Sequence, residues 1–324
     1  MQTEPLSPSP TISVVICAYT EARWDDLVAA VVASQTQHRP AHEVIVVIDH
    51  NPALLGRAAH GLPGVVLTEN IEQRGLSGAR NSGLRVATGE VVAFIDDDAY
   101  GEPDWLESLV AGYADPSVMA VGGTIDPLWE RGRPAWFPRE FDWVVGCTYR
   151  GMPEGRAPVR NVIGCNMSFR KEVFDEVGGF AHSVGRLGSR PLGGEETELC
   201  IRARQRWPDR TILFEPRSVV RHRVPAARGT LSYYRSRCYA EGLSKAMVAR
   251  LVGGGDALST ERSYALRVLG ARVLRELGGA VWRREAAAFQ RAAAIILGLG
   301  MTTAGFVVGT VSIRGRRVAL AEER

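Results

Sequence analysis

At 324 residues, 45% hydrophobic and 23% charged, the chain can build one large α/β domain with an appendage or two modest domains, and disorder is excluded for most of its length. The net charge of +3 hides an asymmetry, because 24 Lys and Arg face 29 Asp and Glu before residue 230 while 15 face 7 from there on. Five scattered cysteines contain no CxxC pair, which excludes zinc-ligand spacing and fits a reduced core set better than a disulfide framework.

Residues 1–10 hold Glu4, three prolines and no apolar run, and read as a disordered leader with no secretory signal. Residues 13–18 form a first buried strand, which ends at Tyr19-Thr20-Glu21. A helix follows whose apolar stripe is Trp24, Leu27, Val28, Val31 and Val32. Residues 43–48 are a second strand, ended by Asp49-His50-Asn51-Pro52. A right-handed crossover puts Tyr19, Glu21 and Asp49 on one sheet edge as a nucleotide cradle, although Asp49 also reads as the start of a turn and Tyr19 as core. A short strand at 65–67 precedes the small-residue run 75–83, which lets a helix lie close to the sheet and lets Arg80 reach a phosphate. This run lacks the GxGxxG spacing, which disfavours a dinucleotide fold.

The chain is organised around Val91-Val92-Ala93-Phe94-Ile95, a buried parallel strand with Asp96, Asp97 and Asp98 at its carboxyl end. Adjacent carboxylates repel, so they are tolerated there mainly when a cation or polar ligand takes part of the charge. The competing reading is a solvated acidic turn into the helix opened by Pro103. Residues 117–125 are a further strand, in which Gly122-Gly123 leaves room for another backbone or a ligand.

Regular periodicity is lost over 126–160, where Trp129, Trp136, Phe137, Trp143 and Tyr149 accumulate in what reads as a long functional arm or an aromatic cover for the core. Residues 161–169 return to strand, and the helix 171–177 stops at Gly178-Gly179. Residues 180–194 have the composition of a mobile segment and feed a helix beginning at Glu195-Glu196. Two short strands, 211–214 and 218–221, then end at His222.

In the tail, residues 230–251 read as a helix mixing aromatic and basic side chains, an acceptor or membrane-facing surface or equally an ordinary helix packed on the body. Residues 265–282, with Arg267, Arg272 and Arg275, have the pattern of an interfacial helix. Residues 292–313 carry no charge over 22 positions, enough to cross a bilayer of about 30 Å, while four glycines and three threonines leave a buried hairpin or oligomer contact open.

Taken together, Val-Val-Ile-Cys-Ala-Tyr, the strand ending in Asp49, Gly-Leu-Ser-Gly-Ala-Arg-Asn at 75–81, Asp-x-Asp at 96–98, Gly-Cys-Asn-Met at 164–167 and Gly-Glu-Glu at 194–196 resemble an inverting family 2 glycosyltransferase of the GT-A fold. The likeness covers residues 12 to about 224. It implies an α/β architecture: a Rossmann-like, mixed but mainly parallel sheet flanked by helices, with a helical C-terminal extension. A catalytic domain over 11–229 would comprise a nucleotide-binding half (11–125) and an acceptor half (126–229), followed by a basic helical region, 230–324.

The resemblance implies that Ala18, Tyr19, Glu21 and Asp49 border the base, usually uracil, and that Arg80, Asp96 and Asp97 lie near ribose and diphosphate, with Asn166 in the same donor-binding set. Asp98 is expected on a divalent cation, Mn²⁺ or Mg²⁺, with His222 as a second ligand. The sequence departs from the family in having Ile48-Asp49 where Asp-Asp is frequent, and Glu195-Glu196 where Glu-Asp is usual. That leaves the general base that deprotonates the acceptor ambiguous between neighbours; Glu196 is expected, with Glu195 the alternate.

The expected reaction moves a sugar from a UDP-sugar to an acceptor hydroxyl with inversion, in polysaccharide, cell-envelope or glycolipid synthesis. Expected partners are a nucleotide sugar, a glycan or lipid-linked acceptor and a membrane surface at the cytoplasmic face, with no nucleic acid. Two rivals remain: a sugar-phosphate nucleotidyltransferase, which would want a basic Gly-rich loop where Tyr19-Thr20-Glu21 stands, and a nucleotide-sugar binding module without catalysis.

Overall fold

Strands that are apolar on both faces can be buried only in a sheet covered on both sides, and the first third of the chain is built this way. In the computed structural model, which describes residues 9–184, 193–253, 268–283 and 285–322, β1 (Ile12–Ala18), α1 (Trp24–Gln35), β2 (Glu43–Ile48), α2 (Pro52–Gly61), β3 (Val66–Glu69), α3 (Leu76–Val86) and β4 (Val91–Asp96) alternate in the expected order. β1 pairs in parallel with both β2 and β4, and β2 with β3. The register sets Ala18 beside Ile48 and Cys17 beside Asp96, so these strands end along one edge. α1 buries Leu27, Ala30, Val31 and Ser34, a stripe turned slightly from the expected one, which leaves Val32 in solvent. Asn51 caps α2 through a 3.0 Å bond from the Leu54 amide to its side-chain oxygen, and Pro52 occupies the first turn.

The second part adds β5 (Ala99–Gly101), α4 (Trp105–Gly112), β6 (Val118–Trp129), β7 (Ala157–Pro158), β8 (Met167–Arg170), α5 (Lys171–Val177), α6 (Glu195–Arg206) and β9 (Thr211–Val224). The single sheet runs β3-β2-β1-β4-β8-β6-β9-β5, with β7 on β9. β8 lies antiparallel between β4 and β6 and so joins the parallel strands to the rest. β6 continues past residue 125, where the two halves were expected to divide.

Three expected strands are redrawn. The pair 211–214 and 218–221 is one strand, β9, in which the register against β6 jumps from Gly123↔Glu215 to Thr124↔Val219 around Pro216. Proline has no amide to give the ladder, so the strand bulges there and continues. The 161–169 strand shortens to β8, because residues 161–166 turn back with an Ile163↔Asn166 bridge. At Gly123 the approaching backbone is the protein's own: an added Cβ would sit 2.0 Å from the Ser218 carbonyl.

Among the described residues three helices follow: α7 (Leu231–Val252), α8 (Gly270–Arg283) and α9 (Ala286–Glu322). They are held to the body by the aromatic segment: the rings of Phe137, edge-on, and Phe141, tilted, each lie 5.4 Å from that of Tyr234 of α7, whose hydroxyl donates to the Ala294 carbonyl of α9 at 2.8 Å. α7 and α9 touch backbone to backbone, since a Cβ on Gly242 or Gly305 would lie 2.0 Å from the opposing carbonyl. The leader up to residue 8, the centre of the glycine-rich segment (185–192) and residues 254–267, including the start of the expected amphipathic helix, lie outside the described residues.

Candidate active site

The aligned carboxyl ends of β1, β2 and β4 open into a cavity of about 1810 Å³ that continues to α6, β9, α7 and α9. Strand ends of an open α/β sheet are where ligands bind, because side chains from several crossovers converge there.

The three aspartates line this cavity, and two of them are almost closed off, Asp97 at 3% and Asp98 at 5% exposure. Burying such a cluster requires opposing charge, and the fold supplies it from distant segments. Arg23 Nη1 donates to Asp97 Oδ1 at 2.8 Å and lies 3.2 Å from Asp98 Oδ2. His222 Nε2 is 3.3 Å from Asp98 Oδ1, and Arg228 3.8 Å from Asp98 Oδ2. Burial pushes the Asp97 carboxyl up to about 7 despite the Arg23 charge. At Asp98 the same upward push is outweighed by the hydrogen bond and charge of His222, with Arg23 and Arg228 adding to it, so this carboxyl sits well below the usual range. Asp97 Oδ2 and Asp98 Oδ2 remain buried without a hydrogen bond among the described residues. Nearby, donor atoms of Asp96, Cys165 and His222 lie within 4.8 Å of one another.

Arg80, from α3, is the hub between this edge and α6. Only 3% exposed, it donates to Glu195 Oε1 at 2.9 Å and to the Gly164 carbonyl at 3.2 Å, and lies 3.6 Å from Asp96. Gly164 gives it room, since an added Cβ would stand 2.9 Å from Nη2. Glu195 is thereby committed to a structural ion pair. Glu196, next in the first turn of α6, has no ion pair among the described residues and lines the cavity. Burial, reinforced by the Glu195 charge, pushes its carboxyl up to about 7, where a general base works best near neutral pH.

Of the residues singled out from sequence, Ala18, Tyr19, Asp49, Arg80, Asp96, Asp97, Asp98, Glu195, Glu196 and His222 all line this one cavity. Asp49 does so with both oxygens engaged, one by the Asn70 side-chain amide at 2.7 Å and one by the Gly75 amide at 3.0 Å, so it shapes the loop before α3. Glu21 and Asn166 are placed outside the cavity. Glu21 sits exposed in a 3-10 turn whose first free amide, that of Ala22, is capped by the Thr20 side chain, and it does not line the cavity. Asn166 is fully buried in the core, accepting from Trp105 Nε1 and donating to the Thr124 and Ser218 carbonyls, so its polar atoms are spent on joining strands.

Sequence reasoning missed Arg23 and Arg228, and left the helix carrying Arg237, Glu241 and Lys245 open between an acceptor or membrane-facing surface and ordinary packing; all five line the cavity. For Arg23 a signal existed, since it lies in the turn at the end of β1; for Arg228, brought to Asp98 by tertiary folding alone, none did. Arg237 and Lys245 pair with Glu241 at 2.9 and 3.2 Å. Burial tends to raise the Glu241 carboxyl, but these two cations prevail and hold it at about 2. Leu299 and Phe306 of α9 continue the wall as an apolar surface.

Residues 13–178 match the family model described as glycosyl transferase family 2. The chain is 33% identical over 305 residues to the glucosyl-dolichyl phosphate glucuronosyltransferase of Haloferax volcanii, covering 93% of this chain and 96% of that one. Among solved structures it resembles the mannosyltransferase PcManGT from Pyrobaculum calidifontis in complex with GDP-Man and Mn²⁺, with a TM-score of 0.57 at 21% identity over 90% of this chain and 87% of that one. It also resembles GalNAc-T7 with UDP, GalNAc and Mn²⁺, with a TM-score of 0.51 at 21% identity over 73% of this chain and 48% of that one.

Proposed function

The chain belongs to glycosyl transferase family 2 and has the GT-A fold, and from that premise we propose that it transfers a sugar, with inversion, from a UDP-sugar to a hydroxyl of a lipid-linked sugar. The observation that carries this reading is that the acid edge of β4 and the Glu196 carboxylate face one chamber, as a donor diphosphate and an acceptor hydroxyl require. The name of the Haloferax relative supports a lipid-phosphate acceptor.

A divalent cation fits the donor end. Asp98 has a buried oxygen without a hydrogen bond, and Asp96 and His222 offer further oxygen and nitrogen donors, while the neighbouring Cys165 thiol, driven far up by burial, stays protonated and leaves the hard-cation set to the others. Asp98, His222 and Asp96 would hold Mn²⁺ or Mg²⁺, which supplies Lewis-acid stabilisation of the leaving diphosphate. The protein's own part follows from geometry. Tyr19, half exposed at the rim with the Arg23 guanidinium 5.4 Å from its ring, offers a flat surface to the base. Arg80 keeps Glu195 and Asp96 in place. Glu196 takes the proton of the acceptor hydroxyl, whose oxygen bonds to the anomeric carbon as the bond to the diphosphate breaks on the opposite face.

Membrane attachment through α9 completes the proposal. Within residues 286–312 an 18-residue stretch has a mean hydropathy of 1.9 and is one-third buried. Their inner face packs on α7, yet the outer face, Phe289, Ile296, Val307, Val308 and Val311, is also apolar and exposed, which suits lipid at the cytoplasmic surface. The test of the reaction is Glu196→Gln assayed with UDP-sugars and a prenyl-phosphate-linked sugar. Turnover should fall by about 10²–10⁴-fold with donor binding retained; wild-type turnover would remove Glu196 from the role.

A further inference from the structure

His222 has two ring nitrogens, and only one of them can meet a cation beside Asp98. The sheet fixes where this side chain starts, since His222 pairs with Ala99 of β5 and the Arg223 amide donates to the Asp98 carbonyl at 2.9 Å. Strand pairing does not fix the ring, which can still turn about its side-chain bonds. A half turn would carry Nε2 away from Asp98 Oδ1, to which it is 3.3 Å.

The group on the other nitrogen is Cys147, whose sulfur lies 3.6 Å from Nδ1. Cys147 is fully buried, and its loop is pinned to β6: the Thr148 amide donates to the Ile125 carbonyl at 3.0 Å, and the Ile125 amide donates back to the Thr148 hydroxyl at 2.8 Å. The loop packs close to the ring, because a Cβ built on Gly146 would stand 3.6 Å from His222 Cε1.

The direction of the contact follows from where the hydrogens are. A thiol buried in this way keeps its one hydrogen, and the Val145 carbonyl, 3.7 Å from the sulfur, can only accept it. The sulfur then turns lone pairs to His222, so Nδ1 carries the hydrogen between them. Nε2 is left to face Asp98, either donating a hydrogen of its own or offering a lone pair to a cation, and the sulfur contact is the same in both. Metal-bound imidazoles are held by an acceptor on the second nitrogen in this manner. A neutral acceptor suits this edge, because a carboxylate in its place would add to the repulsion among three aspartates. Asp98 Oδ2, buried without a hydrogen bond among the described residues, is the complementary oxygen.

We propose that Cys147 is the positioning residue of the cation site: its sulfur takes the Nδ1 hydrogen of His222 and so aims Nε2 at a divalent cation shared with Asp98. This rests on the reading of Asp98 and His222 as ligands.

The experiment uses the full chain in detergent with UDP and Mn²⁺, the free ion being measured by electron paramagnetic resonance. Cys147→Ala should weaken Mn²⁺ binding by about tenfold or more, whereas Cys147→Ser, whose hydroxyl also donates one hydrogen bond and accepts another, should restore most of it. A second readout needs no change at Cys147. The chain has six histidines, so magnetic resonance spectra of protein labelled at the histidine nitrogens, recorded with UDP and Mg²⁺, can be assigned through His222→Gln. They should show the His222 hydrogen on Nδ1. A hydrogen on Nε2 instead overturns the proposal, as does a Cys147→Ala protein that binds Mn²⁺ as tightly as wild type, or a Cys147→Ser protein that binds it as weakly as Cys147→Ala. Wild-type protein that binds no Mn²⁺ with UDP, or His222→Gln protein that binds it undiminished, overturns the ligand reading beneath and the proposal with it.

Discussion

Replacing Arg80 by Met tests the reasoning about the site most directly, because it removes one charge and little volume. The guanidinium faces Glu195 at 2.9 Å and Asp96 at 3.6 Å, and both members of the Arg80–Glu195 pair are below 8% exposure, so water cannot take over the lost partner. Removing one member of a buried ion pair costs about 3–5 kcal/mol, which chemical denaturation would register as a loss of that size. A second readout separates the catalytic argument from stability. With Glu196 near 7, the wild-type rate should climb with pH, because only the ionised carboxylate accepts a proton. At pH 6 about one-tenth is ionised and the rate is about tenfold below its plateau. The Arg80 charge opposes the upward push on Glu196, so without it the proton is held more tightly and the acidic limb moves to higher pH. Arg80→Lys keeps the charge and should keep the limb. A folded Arg80→Met enzyme within about 1 kcal/mol of wild type, with its limb unmoved or shifted down, would refute the hub assignment.

Three further outcomes are expected. Asp98→Ala should abolish Mn²⁺-dependent thermal stabilisation by a UDP-sugar, and its survival would show that Asp96 and His222 suffice for the cation. Gly305→Leu must force α9 from α7, because even a Cβ lies 2.0 Å from the Tyr239 carbonyl; overpacking of this kind should lower stability by about 1–3 kcal/mol or more and reduce acceptor use, and a wild-type melting temperature and acceptor KM would contradict the close packing. Ile296→Asp combined with Val307→Asp places charges on the outer face of α9 and should shift the protein from the membrane pellet to the supernatant; unchanged sedimentation would mean that another surface anchors it.

Residues placed apart from the expected cluster share a cause. Asn166 sits in a motif that the resemblance ties to the donor, but in this fold its amide closes bonds to Trp105, Thr124 and Ser218, segments that are adjacent only after β6, β8 and β9 have paired. Glu21 shares a turn with Arg23, and sequence gives no means of telling which of the two faces inward; the neighbouring acid edge selects the cation, because a further carboxylate there would add to the repulsion. The long aromatic segment was legible as arm or as core cover, and it is both: its rings fasten α7, while Trp143, Tyr149 and Met152 border the cavity.

Periodicity and strand-end chemistry are local properties, and the sequence alone was sufficient for them: alternating β1 to β4, acids at the end of β4, and a helix opening on Glu195-Glu196. The counter-charges are not local. Arg80 and Glu195 are 115 residues apart, and Arg23 and Asp97 are 74 apart. Each carboxylate's proton affinity depends on which cation the chain brings to it and how much water is shut out, and both are fixed only when the sheet closes and α7 and α9 dock. For that reason the tertiary structure, not the motif, gives Glu195 the Arg80 partner that Glu196 lacks among the described residues and makes the apolar tail a wall of the chamber.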